Sequence, residues 1–352
     1  MKSRNFVILT LSLTVLLLLG FVGMNVYVDP LFHYHAPSQS FEYPLWDERY
    51  MNDGITRHFT YDAILTGSSM TENFRTSQWD AYFGTHSIKI PFSGGTYKEV
   101  GDAIRKAFAY NPDIKYVMRS LDSTMLVADA DSLDYNDYPN FLYDSNPLND
   151  VNYVLNKDLY LKYTEYVFTF NRLGGVSSTF DVYKNWGRGE TYNGEQLKNS
   201  YTRVIPVEEE RLFLKEDQDR MLENLEQNVL SLAKEHPDTQ FYLFDPPYSI
   251  LAFDDYNRNG MLGYMLDAWE LEVEALLSYD NIRFFAFYDA PEVITNLDYY
   301  RDSLHDGQVI SDFILECMAS GAHEITRDNS DAYFSAIRDF YLHYSYDSIW
   351  DS

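Results

Sequence analysis

Short apolar runs alternate with amphipathic stretches along most of the chain from about residue 61 onward. Stretches with helical spacing of apolar residues separate these runs. Strands that alternate with helices predict right-handed crossovers and a parallel sheet. The pattern therefore predicts a flavodoxin-like, doubly wound α/β domain of about five parallel strands over residues 61–352. Five runs have the length of a strand: YDAILTGSS, HSIKIPF, IKYVMRSLD, TQFYLFDPPY and IRFFAFYDA.

The alternation is interrupted after the third predicted strand, between about residues 123 and 207. This segment is rich in Asp, Asn and Tyr, and it contains an acidic run from Asp129 to Asp137. Part of it, VNYVLNKDLYLKYTEYVFTF, has helical spacing of apolar residues. We predict a largely helical or irregular insertion over one end of the sheet, with the acidic run as a solvated loop.

The N-terminal region predicts a membrane span. Residues 6–28 carry no charge and, at about 1.5 Å per residue, are long enough for a bilayer core of about 30 Å. Lys2 and Arg4 precede the span, so residues 1–5 are expected in the cytoplasm and the bulk of the chain outside. A cleaved signal peptide is the alternative, but the length of the run and the lack of an A-x-A-like site favour an uncleaved single-pass anchor. Residues 29–60 then form an irregular juxtamembrane lead-in.

Composition narrows the function classes. The formal net charge is -27, with 54 acidic and 27 basic residues, which argues against nucleic-acid binding and against electrostatic binding to anionic lipid. The single cysteine excludes an intramolecular disulfide, and an exported chain of this kind suits a bacterium with a single membrane. No spacing of His, Cys or carboxylate residues indicates a metal site, and no motif indicates a cofactor.

The stretch GSSMTENF, at the end of the first predicted strand, has two interpretations. Ser69 and Glu72 have the spacing of a capping box, in which the serine oxygen accepts a free amide of the first helical turn. A serine at a strand-to-helix corner is also where a nucleophile would be held, and in that case the neighbouring Ser68 would be dispensable. The two interpretations predict different partners for the Ser69 hydroxyl.

Polar residues follow each of the predicted strands, where ligands bind in sheets of this type. A serine nucleophile needs a base, and the base needs a group that fixes its tautomer. His305 can be the base, and Asp302 can reach the same imidazole in a tight turn. The amides of Ser69 and of Gly95, or else Gly94, can stabilise an oxyanion. The residues that follow the five strands are Ser68 and Ser69, Gly94 and Gly95, Asp122, Asp245, and Asp302 to His305.

These motifs resemble the blocks of the SGNH, or GDSL-like, hydrolase superfamily. Gly67-Ser68-Ser69-Met70 matches the block that carries the nucleophile, and its Gly-Ser-Ser form is similar to that of the D-alanine-transfer proteins of lipoteichoic acid assembly. SGGT matches the block that contributes a glycine amide, and Asp302-Ser303-Leu304-His305 matches the final D-x-x-H block. The resemblance covers roughly residues 60–122 and 208–320. It implies an SGNH hydrolase fold with Ser69, His305 and Asp302 as a catalytic triad.

The sequence departs from the family after the third strand. An Asn whose side chain donates to the oxyanion is usual there, whereas this chain has Asp122, which cannot donate when it is ionised. The oxyanion hole is therefore expected to use two amides only, or to borrow the hydroxyl of Ser120 or Ser123. Losing one such donor costs on the order of 3 kcal/mol of transition-state stabilisation.

Two function classes follow. The first is an exported, membrane-anchored serine esterase or O-acyltransferase that acts on acyl groups of a cell-surface glycan or wall polymer. The second is a non-catalytic protein that keeps the fold and binds a surface polymer or an assembly partner. The intact Ser, His and Asp favour the enzyme, while the missing Asn and the large insertion favour the binding protein.

Overall fold

The computed structural model describes residues 3–133 and 138–351; Lys2 and the end of the acidic run, 134–137, lie outside the described residues. The strands are β1 (Ala63–Gly67), β2 (Ser87–Pro91), β3 (Tyr116–Ser120), β4 (Gln240–Asp245), β5 (Ile282–Ala286) and β6 (Glu324–Ile325). The helices are α1 (Ser3–Val28), α2 (Glu48–His58), α3 (Thr76–Phe83), α4 (Tyr97–Tyr110), α5 (Asn140–Tyr143), α6 (Val151–Val154), α7 (Lys157–Leu159), α8 (Glu165–Arg172), α9 (Gly194–Ser200), α10 (Lys215–Leu225), α11 (Ser231–Glu235), α12 (Ile250–Arg258), α13 (Leu262–Leu276), α14 (Pro291–Ile294), α15 (Gln308–Ser320) and α16 (Ser330–His343).

The strands form one sheet in the order β2-β1-β3-β4-β5-β6. Strands β1 to β5 are parallel, and the short β6 pairs with β5 in the antiparallel direction. The strands are almost wholly buried, as expected for a parallel sheet with helices on both faces. The predicted α/β architecture with its five parallel strands is confirmed, and β6 is an addition of only two residues.

The chain divides into two compact units. The first combines residues 1–60 with residues 135–179, and the second combines residues 61–134 with residues 180–352. The sheet belongs to the second unit. The segment after β3 is partly helical, as predicted, but it does not form one body, because residues 135–179 group with the first unit and residues 180–207 with the second.

The lead-in of the first unit is not irregular throughout, because it contains α2. Most of α2 is buried, including polar residues such as Asn52 and Asp53 that hide its helical character in the sequence. Gly54 lies where the chain passes close to another segment, since a β-carbon there would be 2.1 Å from the carbonyl oxygen of Leu31. The prediction of an irregular lead-in over residues 29–60 is therefore wrong for Glu48–His58.

Two further helices begin later than the sequence suggests. The helix predicted directly after β1 is a 3-10 turn, Ser69–Thr71, followed by α3 from Thr76. The long amphipathic helix begins at Lys215, with residues 208–214 outside it, and continues through a π-helical turn to Glu235. The first of these differences bears on the site, because it changes which serine caps the turn.

Two carboxyl groups, Asp245 of β4 and Glu272 of α13, are buried in the core of the second unit. One oxygen of each has no hydrogen-bond partner among the described residues. The hydroxyl of Tyr97 donates to Glu272 at 3.5 Å. Burial, together with the charge of Asp245, raises the pKa of Glu272 well above its ordinary value, and burial does the same to the pKa of Asp245. The fold therefore holds these groups in their protonated form over a pH range in which the unfolded chain ionises them.

We expect Glu272→Gln to stabilise the protein at neutral and alkaline pH. Because the folded-state pKa of Glu272 is raised, its contribution to stability is fully present below the ordinary value of 4.5 and is lost as the pH rises toward the folded-state pKa. The loss amounts to about 1.4 kcal/mol for each unit by which the pKa is raised. Thermal unfolding at about pH 5 and about pH 8 should show the variant gaining on the parent protein at the higher pH.

The control for this experiment is Glu274→Gln, which changes an exposed carboxyl on the same helix. It should leave the pH dependence of the melting temperature unchanged. An equal pH dependence in Glu272→Gln and in the parent protein would contradict the assignment.

Candidate active site

Strand β1 ends in a backbone conformation that requires glycine. Gly67 has φ 143°, and a β-carbon there would lie 2.1 Å from the hydroxyl oxygen of Ser120 at the end of β3. The close approach lets the amide of Ser68 donate to that hydroxyl at 3.3 Å. This contact fixes the direction in which the chain leaves the sheet.

Ser68, rather than Ser69, caps the turn that follows. Its hydroxyl oxygen accepts the amide of Met70 at 3.3 Å, and the hydroxyl donates to Asp122 at 2.9 Å. The capping-box interpretation of Ser69 and Glu72 is therefore wrong for the hydroxyl of Ser69. The same contacts show that Ser68 is engaged in the structure, so its loss should lower stability, while its dispensability for activity stays a prediction.

The hydroxyl of Ser69 lies 2.9 Å from Nε2 of His305. The other imidazole nitrogen, Nδ1, lies 2.8 Å from one carboxylate oxygen of Asp302 and 3.0 Å from the other. A proton on Nδ1 that is donated to Asp302 leaves Nε2 free to accept the hydroxyl proton of Ser69. The structure thus brings together the three residues that the sequence proposed as a triad.

The D-x-x-H segment holds its own aspartate in place. The amides of Leu304 and His305 donate to Asp302 at 2.9 and 2.8 Å. Burial alone would raise the pKa of Asp302, but the hydrogen bonds from the imidazole and the two amides lower it to about 2. The hydrogen bond with Asp302 in turn raises the pKa of His305 against the effect of burial, and the charge of Asp122 adds to this rise.

The two glycines after β2 differ in whether their amides are available. The amide of Gly95 donates to the carbonyl oxygen of Phe92 at 2.7 Å, inside a tight turn. Gly94 is exposed, has φ 62°, and its amide donates to no acceptor among the described residues. The amide of Ser69 likewise has no acceptor among the described residues. Gly94, the second choice from the sequence, therefore has an amide without an acceptor among the described residues, whereas the amide of Gly95, the first choice, is already bonded.

The Asp122 carboxylate is the acceptor in each of four hydrogen bonds. It accepts the hydroxyls of Ser68, Tyr248 and Thr124, and also the Thr124 amide. On these contacts the side chain offers no hydrogen-bond donor. Asp122 therefore does not supply the donor that the resemblance to SGNH hydrolases led us to expect from an Asn, and its charge contributes to the raised pKa of His305.

The other candidate polar groups lie deeper than the sequence suggested. The hydroxyl oxygen of Ser120 accepts the amide of Ser68, and Ser123 is buried with its hydroxyl 3.3 Å from that of Tyr288. Asp245 is fully buried in the core and is not an open group at the edge of the sheet. The hydroxyls of Ser120 and Ser123 are thus both engaged inside the protein.

A buried lysine that the sequence did not indicate as a site residue lies against the segment that follows Ser69. Lys89 of β2 is fully buried, and its Nζ donates to the carbonyl oxygens of Glu72 and, at 2.9 Å, of Phe74. Burial lowers the pKa of Lys89 to about 7, although the nearby charges of Glu72 and Asp181 oppose this shift. The only signal in the sequence was a single charge inside the apolar run SIKIP. Because every residue of this strand is buried, the charged side chain has to find its partners inside the protein.

An aromatic residue from the insertion also contacts the site. The ring of Trp186 packs edge-on against His305, with 5.7 Å between ring centroids. The guanidinium of Arg301 lies 5.2 Å from the centroid of the Trp186 ring. Neither residue could be identified from the sequence, because Trp186 lies in a segment without periodicity and its partners are more than 100 positions away.

Within residues 3–133 and 138–351, no group of three or more His, Cys, Asp or Glu side chains is arranged to hold a metal ion. The arrangement of Ser69, His305 and Asp302 can activate a hydroxyl by proton transfer. It can therefore support acyl-transfer chemistry from the chain's own side chains and amides.

No family model and no curated protein matches the chain. One solved structure with a similar fold is described as "The structure of a putative platelet activating factor from Streptococcus pneumonia". The two chains are 11% identical with a TM-score of 0.41, and the match covers 78% of this chain and 90% of the other. At this identity the similarity concerns the fold alone.

Proposed function

We propose that this protein is a membrane-anchored, exported serine esterase or O-acyltransferase of the SGNH type, acting on acyl groups of a cell-surface glycan or wall polymer. One observation carries the proposal. The hydroxyl of Ser69 lies 2.9 Å from His305 while the capping role falls to Ser68. A serine that only served to start a turn would have no need of an imidazole whose second nitrogen contacts a carboxylate.

The proposed chemistry begins with attack of Ser69 Oγ on the acyl carbonyl carbon as its proton passes to Nε2 of His305. Asp302 keeps the imidazole oriented and stabilises the imidazolium that forms. The amides of Ser69 and Gly94 donate to the oxygen that becomes negative. Collapse of the tetrahedral intermediate expels the alcohol, which takes the proton from His305 and leaves an acyl group on Ser69.

The second half of the reaction decides between the two activities. His305 accepts a proton from an incoming hydroxyl group as that group attacks the acyl carbon. The tetrahedral intermediate then collapses, the bond from the acyl carbon to Ser69 Oγ breaks, and His305 returns the proton to Ser69 Oγ. Water as the incoming group gives hydrolysis, and a hydroxyl of a glycan or polymer gives transfer.

The proposed location rests on α1. Among the described residues it is the one helix that is long and apolar enough to cross a membrane, with a mean hydropathy of 2.6. We propose that it stays attached as an anchor, with the N-terminus in the cytoplasm and the bulk of the chain outside. Its C-terminal residues Asn25 and Val28 are buried in the first unit, so a cleavage that removed α1 would expose the groups that they cover.

A specific observation favours the second candidate function. Asp122 places a carboxylate beside the site where the family usually supplies an amide donor, and a negative charge near a developing oxyanion opposes its formation. A non-catalytic protein that binds a surface polymer or an assembly partner would carry no such penalty.

A burst experiment with p-nitrophenyl acetate distinguishes the two functions. The detergent-solubilised full chain should release p-nitrophenol in an initial burst as Ser69 becomes acetylated, and the Ser69→Ala variant should release none. Release at the same rate with and without the Ser69 hydroxyl would reject the enzyme and favour the binding protein.

A further inference from the structure

The last two turns of α1 are packed against helical segments of the first unit. The ring of Phe21 lies 4.8 Å from that of Tyr160. The buried Asn25 donates to the carbonyl oxygen of Val154 at 2.9 Å and accepts the hydroxyl of Thr164 at 2.7 Å. We call residues 151–164, which comprise α6, α7 and the π-helical turn, the collar.

The exposed part of α1 is too short to span a bilayer core by itself. Every side chain from Ser3 to Gly20 is exposed, and the contacts begin at Phe21. The apolar stretch from Phe6 to Gly20 is about 22 Å long at about 1.5 Å per residue. This is shorter than a hydrocarbon core of about 30 Å, so the turns from Phe21 onward are needed to complete the span. The collar residues that touch Phe21 and Asn25 then lie at the depth of the outer leaflet.

The collar carries three apolar side chains that the described chain covers only in part. Val151, Leu155 and Leu161 are between 42 and 54% exposed. Val151 and Leu155 precede and follow Val154 in the sequence, and the carbonyl oxygen of Val154 accepts from Asn25 of α1. Leu161 follows Tyr160, whose ring contacts Phe21. Burial of apolar side chains at the boundary between headgroups and acyl chains is favourable, whereas their exposure to water is not.

We propose that Val151, Leu155 and Leu161 of the collar contact lipid in the outer leaflet, while the exposed charged side chains of Lys157 and Asp158 extend to the headgroups and water. The partner is the apolar layer below the headgroups of a bilayer, because a chain with a net charge of -27 has no general attraction to anionic lipid. The inference rests on the retained anchor in the proposed function, and it is independent of the ester chemistry.

Site-directed fluorescence quenching in vesicles tests the insertion. The full chain carries Cys317→Ser, which removes its single, buried cysteine. An environment-sensitive fluorophore is then attached at Leu155→Cys or Leu161→Cys. The protein is reconstituted into phosphatidylcholine vesicles, with and without a nitroxide near the top of the acyl chains.

Three further labelled positions serve as references. Leu13→Cys, in the free part of α1, reports a label inside the bilayer. Asp280→Cys, at a side chain that is 97% exposed in the second unit, reports a label in water. Ile205→Cys, at an apolar residue that is 89% exposed in the same unit, controls for apolar exposure in general.

We expect labels at Leu155 and Leu161 to emit at a shorter wavelength than the label at Asp280. They should also lose most of their fluorescence to the lipid nitroxide, as the label at Leu13 does. Collar labels that behave like Asp280, while Leu13 is quenched, would overturn the insertion and leave the anchor standing. Equal quenching at Ile205 and in the collar would also overturn it. A chain that fails to float with the vesicles would overturn both insertion and anchor, and the p-nitrophenyl acetate burst would remain a separate test of the chemistry.

Discussion

Ser69→Ala is expected to lower the rate of ester cleavage by a factor on the order of 10⁴ to 10⁶ with almost no change in stability. The rate falls because the variant lacks the oxygen that attacks the acyl carbon. Stability is kept because the partly exposed Ser69 hydroxyl caps nothing, and a substitution of this kind usually changes the free energy of unfolding by less than about 0.5 kcal/mol. The measurements are initial rates with p-nitrophenyl acetate and the melting temperature.

Ser68→Ala is the matched control, and it should show the opposite balance. It removes the hydroxyl that caps the 3-10 turn and donates to Asp122. Loss of such a cap costs about 1 kcal/mol of stability. We expect a lower melting temperature with much of the ester cleavage retained. A variant of Ser69 that keeps full activity would end the hydrolase proposal.

Asp302→Asn is expected to lower the rate by a factor on the order of 10⁴. The amide side chain can donate to the imidazole and so stabilises the wrong tautomer, in which Nδ1 is the acceptor and Nε2 carries the proton that blocks Ser69. The geometry of the turn should survive, because the amide oxygen can still accept the amides of Leu304 and His305. The rate constant should therefore fall more than the melting temperature.

The pH dependence of this variant separates a catalytic defect from a structural one. His305 must be neutral to accept a proton, so activity rises as the pH passes its pKa. Asp302 raises the pKa of His305 above the ordinary value of 6.5. In Asp302→Asn this contribution is lost, and the acid limb of the rate profile should move to lower pH. An unchanged limb would mean that the titrating group is not His305.

The sequence was sufficient for the main elements because their signals are local. Strands β1 to β5 are apolar runs separated by amphipathic helices, and this pattern needs no knowledge of tertiary contacts. Strand β6 has two residues, too few for any period, and α2 is buried on positions that carry polar side chains. Both depend on contacts with distant parts of the chain, which a single sequence does not display.

The candidate site shows the same division. Ser69, His305 and Asp302 could be proposed because each follows a predicted strand in a short motif. The choice of cap was wrong because the spacing from Ser69 to Glu72 fits a capping box, whereas the course of the chain after Gly67 gives that role to Ser68. Spacing alone describes residue types and does not describe the direction in which a strand ends.

The glycine amide illustrates a second limit. Gly94 and Gly95 are equivalent in the sequence, and only the backbone turn shows that the amide of Gly95 is already bonded to Phe92. Trp186 lies beyond any sequence argument because it reaches His305 from an insertion without periodic pattern. Lys89 was visible as a charge in an apolar run, but its role depends on carbonyl oxygens of the turn that it supports.

The most direct test of the account is to locate a covalent adduct. The detergent-solubilised full chain is treated with a fluorophosphonate, which reacts with activated serine hydroxyls, and the modified peptide is sequenced by mass spectrometry. The account predicts one adduct on Ser69, which disappears in His305→Ala although Ser69 is still present. An adduct on Ser68, or no adduct on a correctly folded protein, would contradict the claim that Ser69 is the nucleophile.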